Sequence, residues 1–176
     1  MNWKNHERSV AKTIGDLLGI TLRRNDAKYN AGDPARNSDV DVEHEKFSTF
    51  NTNGITIECK YDKDGFGSIY KWFKQIKNTP KLLVINNKFV VFSLENILDV
   101  WYDLINRNLI RYNITQINTS IDFVGISKAT DQSKKYAKTK KLFPVLSIRR
   151  GGQKALVIIN LETLQNILNR KTNDNL

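Results

Sequence analysis

The chain is 176 residues long, 40% apolar and 26% charged, the balance of one soluble domain or of one domain with a substantial appendage. No apolar run nears the roughly 18 residues of a membrane span, the charged start "MNWKNHERSV" lacks the apolar segment of a secretory signal, and Cys59 alone, with His6 and His44 far apart, excludes an internal disulfide and argues against a thiolate or histidine zinc site. The net charge of +10 is polarised, since from Asn106 onward thirteen Lys or Arg stand against four Asp or Glu, and such a field attracts polyanions.

In chain order, the spacing of Trp3, Val10, Ala11, Ile14, Leu17 and Leu18 predicts a helix over Trp3–Leu18 that stops at Gly19. Glu7 falls near the middle of that apolar stripe. It is either a first-turn acid favoured by the helix dipole or an inward carboxylate compensated by a cation or by hydrogen-bond donors. "ITLRRN", Ile20–Asn25, reads as a short strand and "DAKYNAGDPARN" as a loop. "SDVDVEH" follows as a strand with Val40 and Val42 on one face and Asp39 and Asp41 on the other, and "ITIECKY" as its partner.

"GFGSIYKWFKQIKN" has helical spacing in Ile69, Trp72, Phe73 and Ile76 and is closed by Pro80. "KLLVINNKFVVFS" reads as two strands about a turn at Asn86 and Asn87. Ser93 then caps a helix whose buried side is Leu94, Ile97, Leu98, Trp101 and Leu104. Beyond it, "ITQINTSIDFVGI" suggests extended structure, "KATDQSKKYAKTKK" is polar, "FPVLSIRRGGQKALVIIN" is a hairpin turning at Gly151 and Gly152, and "LETLQNILNR" is a last helix. The expected class is α/β, a mixed sheet flanked by helices. The division expected is 1–105 as a core and 106–176 as a basic hairpin–helix extension packed on it, or one continuous domain over 1–176.

The alternation of "ITIECKY" turns Ile55, Ile57 and Cys59 toward a core and Thr56, Glu58 and Lys60 the other way. Glu58 and Lys60 then lie about 7 Å apart on one face. If "SDVDV" is the neighbouring strand, Asp39 or Asp41 stands near Glu58, and two carboxylates at that range become favourable when a divalent cation joins them. Magnesium is the expected ion. A lysine beside it suits phosphodiester hydrolysis, where it orients or helps deprotonate water and offsets charge growing on the phosphate. The plain alternative is an exposed Glu and Lys pair of little energetic consequence. Cys59 reads as a core residue.

The order of "HERSVAKTIGDLLG", "LRRN", "SDV", "ITIECKY" and "SIYKWFKQ", over roughly the first 90 residues, resembles the PD-(D/E)XK nuclease superfamily, and within it the phage and prophage endonucleases similar to Holliday junction resolvases. The resemblance implies a restriction-endonuclease-like core. It also implies Glu7 as the helix acid near the metal, Asp39 as the metal-binding aspartate, Glu58 as the second acidic ligand, the main-chain carbonyl of Cys59 as a further contact, Lys60 as the catalytic lysine and Gln75 as a support for the lysine or the water. Asp41 shares the face with Asp39 and remains the alternative aspartate, and Ser38 stands where the family usually has proline or glycine. The gap from Asp39 to Glu58 is wider than in compact members.

The function this implies is a magnesium-dependent DNA endonuclease, with manganese able to substitute, selective for Holliday junctions or other branched DNA. It would work in the cytoplasm, in a bacterium or a phage-infected host, and as a homodimer if it cuts junctions symmetrically. The backbone grip falls to Lys128, Lys134, Lys135, Lys138, Lys140, Lys141, Arg149 and Arg150, with Arg23 and Arg24 nearer the site; each has a plain reading as a solvated surface charge. The alternatives are a nucleic-acid-binding module that has the fold but does not cut, and a restriction-type enzyme that cuts at a defined sequence.

Overall fold

The first helix forms where its apolar stripe predicts it. In the computed structural model, which describes residues 2–23, 39–120 and 141–166 apart from the side chain of Asp39, α1 spans Trp3–Leu18. The Asn2 side chain accepts from the Asn5 N–H at its start, and Gly19 closes it in the left-handed conformation, φ 68°. Val10 and Ile14 are fully buried, each stabilising the fold by about 1.5–3 kcal/mol relative to exposure.

The segment after α1 departs from expectation. Residues 20–23 form no strand, because the Ile20 N–H bonds back to the Gly15 carbonyl and Leu22 packs on the core. A Cβ on Gly15 would sit 2.7 Å from the Ile20 carbonyl oxygen, so the return requires glycine there. Asn25 lies outside the described residues.

Strand β1 spans Asp39–Glu43 and β2 spans Gly54–Asp62, with a 3-10 turn over Glu45–Phe47 between them. Helix α2 is Gly67–Gln75. Strands β3, Lys81–Ile85, and β4, Phe89–Ser93, form the expected hairpin, with Asn86 and Asn87 both at positive φ, 54° and 51°, as a type I′ turn demands. A 3-10 turn over Leu94–Asn96 leads into α3, Ile97–Ile105. Strand β5 is Asn113–Ile117, β6 is Phe143–Arg150, β7 is Leu156–Asn160, and 161–166 are helical.

The seven strands make one mixed sheet in the order β1-β2-β6-β7-β4-β3-β5. Pairs β2–β6 and β3–β5 are parallel; the other neighbours are antiparallel. The C-terminal hairpin forms as expected but lies inside the sheet, where β6 and β7 join the β1–β2 pair to β4, β3 and β5. Helices α1 and α3 cover one face, over a core that includes Val40, Ile55, Ile57, Cys59, Trp101 and Phe143. Trp101 packs edge-on to Phe143 with centroids 5.0 Å apart. Helix α2 covers the other face with Ile69, Tyr70 and Phe73 against Leu146, Ile148, Leu156 and Ile158.

Candidate active site

Strand β2 positions the chemistry by its period of two. Ile55, Ile57 and Cys59 pack under α1, while Thr56, Glu58 and Lys60 turn to the α2 face. That second face is not open, as a half-buried strand would have it: Thr56 is 0% and Glu58 2% exposed. The cause is the neighbourhood of β6, whose Leu146 and Ile148 are the register partners of Glu58 and Lys60 and belong to the core beneath α2.

A carboxylate so buried is expensive without a counter-charge. Lys60 supplies one, its Nζ 2.9 Å from Glu58 Oε1, with 42% of the lysine side chain in solvent against 2% of the glutamate's. The pair therefore runs from a dry end to a wet end, with the ammonium at the surface. The predicted juxtaposition of Glu58 and Lys60 is present as a direct ion pair.

The register separates the two aspartates. Asp39 is the backbone partner of Glu58, and Asp41 that of Thr56; opposed Cα atoms in such a pair lie about 4.5–5.5 Å apart. The Thr56 hydroxyl donates to Asp41 Oδ1 at 2.6 Å, so Asp41 has a role within the strand pair. Thr56 was not singled out in the sequence, although it stands two residues before Glu58 on the same face. Asp39–Glu58 is the last pair of the β1–β2 ladder among the described residues.

The remaining residues are more scattered. Cys59 is buried, its thiol 3.8 Å from the Ile57 carbonyl, as a core residue should be. Glu7 is fully buried on α1, the helix that covers the Cys59 face of the sheet. Gln75 is the last residue of α2 and is exposed. Arg23 is exposed just after α1; Arg24, Lys128, Lys134, Lys135, Lys138 and Lys140 lie outside the described residues. Lys141 is exposed at φ 55°, and its carbonyl accepts from the Asn53 N–H. Arg149 donates to the Ser9 hydroxyl at 3.4 Å. Arg150 packs over Gly67, where a Cβ would meet its Nη1 at 2.5 Å.

Two groups near this end of the sheet have shifted titration. Burial, opposed by a hydrogen bond to the Ser147 carbonyl and reinforced by the Arg149 charge, lowers His6 to about 4. Burial pushes the Tyr70 phenol up to about 12; it donates to the Lys154 carbonyl at 2.7 Å and ties α2 to the β6–β7 turn.

Carboxylate oxygens are the hard donors that a magnesium-class cation takes, and the backbone register sets Asp39 opposite Glu58. Among the described residues, no group of three His, Cys, Asp or Glu side chains gathers to hold one. No protein-family model, curated protein or solved structure matches the chain. No described helix is long and apolar enough to cross a membrane.

Proposed function

We propose that the protein is a metal-dependent DNA endonuclease that hydrolyses phosphodiester bonds, with branched DNA such as Holliday junctions as its substrate class. The observation that carries this reading is the ion pair of Glu58 and Lys60 at the β1–β2 margin, with Asp39 in register opposite Glu58. In it Asp39 and Glu58, with the Cys59 carbonyl, would hold magnesium or manganese, and Asp41 is the alternative aspartate. Such a cation supplies Lewis-acid polarisation of the phosphodiester and activation of water. Lys60, surface-directed beside Glu58, meets a phosphate that approaches from solvent and offsets the charge that grows on it. Glu58 fixes the lysine's position by holding its ammonium from beneath.

Backbone recognition suits the +10 net charge, because phosphate contacts need no base readout. A homodimer would give the two sites that symmetrical junction cutting needs, and the cytoplasm is where this substrate is met.

The test is incubation with junction, flap and linear duplex DNA, with and without magnesium or manganese. Junction cleavage is expected only with metal, and Lys60→Ala or Glu58→Ala should lower it by about 100-fold or more. Undiminished cleavage by either variant would falsify the site assignment, and preferred cuts at one sequence on plain duplex would indicate restriction-type recognition. A second reading, a nucleic-acid-binding module that does not cut, is favoured by the internal partners of Glu58 and Asp41, Lys60 and Thr56. DNA binding with no cleavage of any of the substrates would select it.

A further inference from the structure

The C-terminal ends of the parallel strands β2 and β6 carry charge on both sides of the sheet. Lys60 lies on one side; Arg149, the register partner of Tyr61, turns to the other, toward Ser9 of α1. There a cleft of about 220 Å³ opens between α1, the end of β4 and the β6–β7 turn, lined by Ser9, Thr13, Ser93, Glu95, Arg149 and Lys154 among others.

Its donors are lightly committed. Arg149 makes one long bond, from Nη1 to the Ser9 hydroxyl, which leaves most of its fork available. Ser93 stands at the start of the 3-10 turn but makes no side-chain cap bond. Lys154 reaches Glu95 only at 3.8 Å, with the two side chains 84% and 59% exposed, and exposed pairs of this kind hold weakly.

The geometry points to this cleft as a binding site for one phosphate group, held by the Arg149 fork, the hydroxyls of Ser9, Thr13 and Ser93, and the Lys154 ammonium. A guanidinium matches two oxygens of a tetrahedral oxyanion at once, and neutral hydroxyls take the others. The volume is several times the roughly 30 Å³ share of one water and below the roughly 300 Å³ where whole small-molecule sites begin. The cleft thus has room for a phosphate group. Glu95 also lines the cleft, 3.8 Å from Lys154, and its charge opposes the phosphate, against the two cations Arg149 and Lys154. The phosphate is either free or terminal, or one link of a nucleic-acid backbone passing around this end of the sheet.

The test uses the full chain, with inorganic phosphate followed by calorimetry and thermal shift, and duplex DNA followed by binding at low salt. Phosphate is expected to bind saturably and raise the melting midpoint. Ser93→Asp keeps a small polar side chain before the 3-10 turn while placing a carboxylate in the cleft, and should weaken binding at least tenfold; Arg149→Lys, which keeps charge but loses the fork, should act in the same direction, and Ser93→Asn should stay within about threefold. A parallel loss of duplex affinity in Ser93→Asp identifies the backbone as the source; loss of the phosphate response alone identifies free or terminal phosphate. If neither response depends on Ser93 and Arg149, the site does not exist. Glu58→Ala, which should lower cleavage by about 100-fold or more, leaves both responses intact, so this proposal and the cleavage reading fail separately.

Discussion

Lys60 and Glu58 sit in different surroundings although their charged atoms are 2.9 Å apart, one side chain 42% and the other 2% exposed. Breaking a fully buried pair costs about 3–5 kcal/mol, whereas surface pairs contribute about 0–1. Lys60→Met, which removes the ammonium and leaves the buried carboxylate, should therefore destabilise by about 1–3 kcal/mol, measured by urea unfolding at pH 7; an unchanged midpoint would mean that Glu58 does not depend on the lysine. His6 gives a second residue-scale expectation. Its folded-state pKa of about 4 lies below the ordinary 6.5, so the unfolded chain takes up the proton first as pH falls. The stability His6 contributes is complete above about pH 6.5 and is lost between 6.5 and 4, about 3 kcal/mol in all. Comparing wild type with His6→Gln across that window should show the slope in the wild type alone, and equal slopes would remove His6 as its source. The placement of Glu58 and Lys60 on one face was legible in "ITIECKY" because strand period is a local property. The burial of Glu58 was not, since it comes from β6, whose Leu146 is its register partner nearly ninety positions along the chain.

At the level of elements, β1 depends on one glycine. Gly54 pairs with Glu43 at φ 155°, and a Cβ there would fall 1.9 Å from the Val42 carbonyl oxygen. Gly54→Ala forces the strands apart at the end of the ladder opposite the Asp39–Glu58 pair. It should cost about 2–3 kcal/mol and, under the cleavage reading, reduce activity in the fraction that remains folded; a variant with wild-type stability would show that the strands shift without penalty. The local grammar of these elements was readable: Gly19 after α1, the paired asparagines between β3 and β4, and the glycines after β6 each stand where the backbone takes a left-handed turn or reverses. The central position of β6 and β7 left a weaker trace. "FPVLSI" and "ALVII" are nearly unbroken apolar runs, the pattern of strands covered on both faces, whereas a peripheral hairpin would have alternated.

For the whole molecule, the sheet order fixes what can stand alone. The β1–β2 pair carries the candidate site, the β4–β3–β5 set carries the second hairpin, and β6 with β7 forms the hydrogen-bonded connection between them. A fragment of residues 1–105 would keep α1, α2 and α3 but lose both central strands, leaving the α2-facing core without Leu146, Ile148, Leu156 and Ile158 and the α1-facing core without Phe143, Val145, Val157 and Ile159. Each of these eight side chains is at most 3% exposed, so at about 1.5–3 kcal/mol apiece their joint removal, about 12–24 kcal/mol, matches or exceeds the 5–15 kcal/mol by which a domain is ordinarily stable. The fragment should therefore lack a cooperative thermal transition and well-dispersed amide resonances, while adding residues 141–166 as a separate peptide should not restore them at micromolar concentration, because the parallel β2–β6 pairing must be closed across an intermolecular gap. A fragment that melts cooperatively by itself would show that the first 105 residues hold a complete core and that the hairpin is added to a sheet able to form without it.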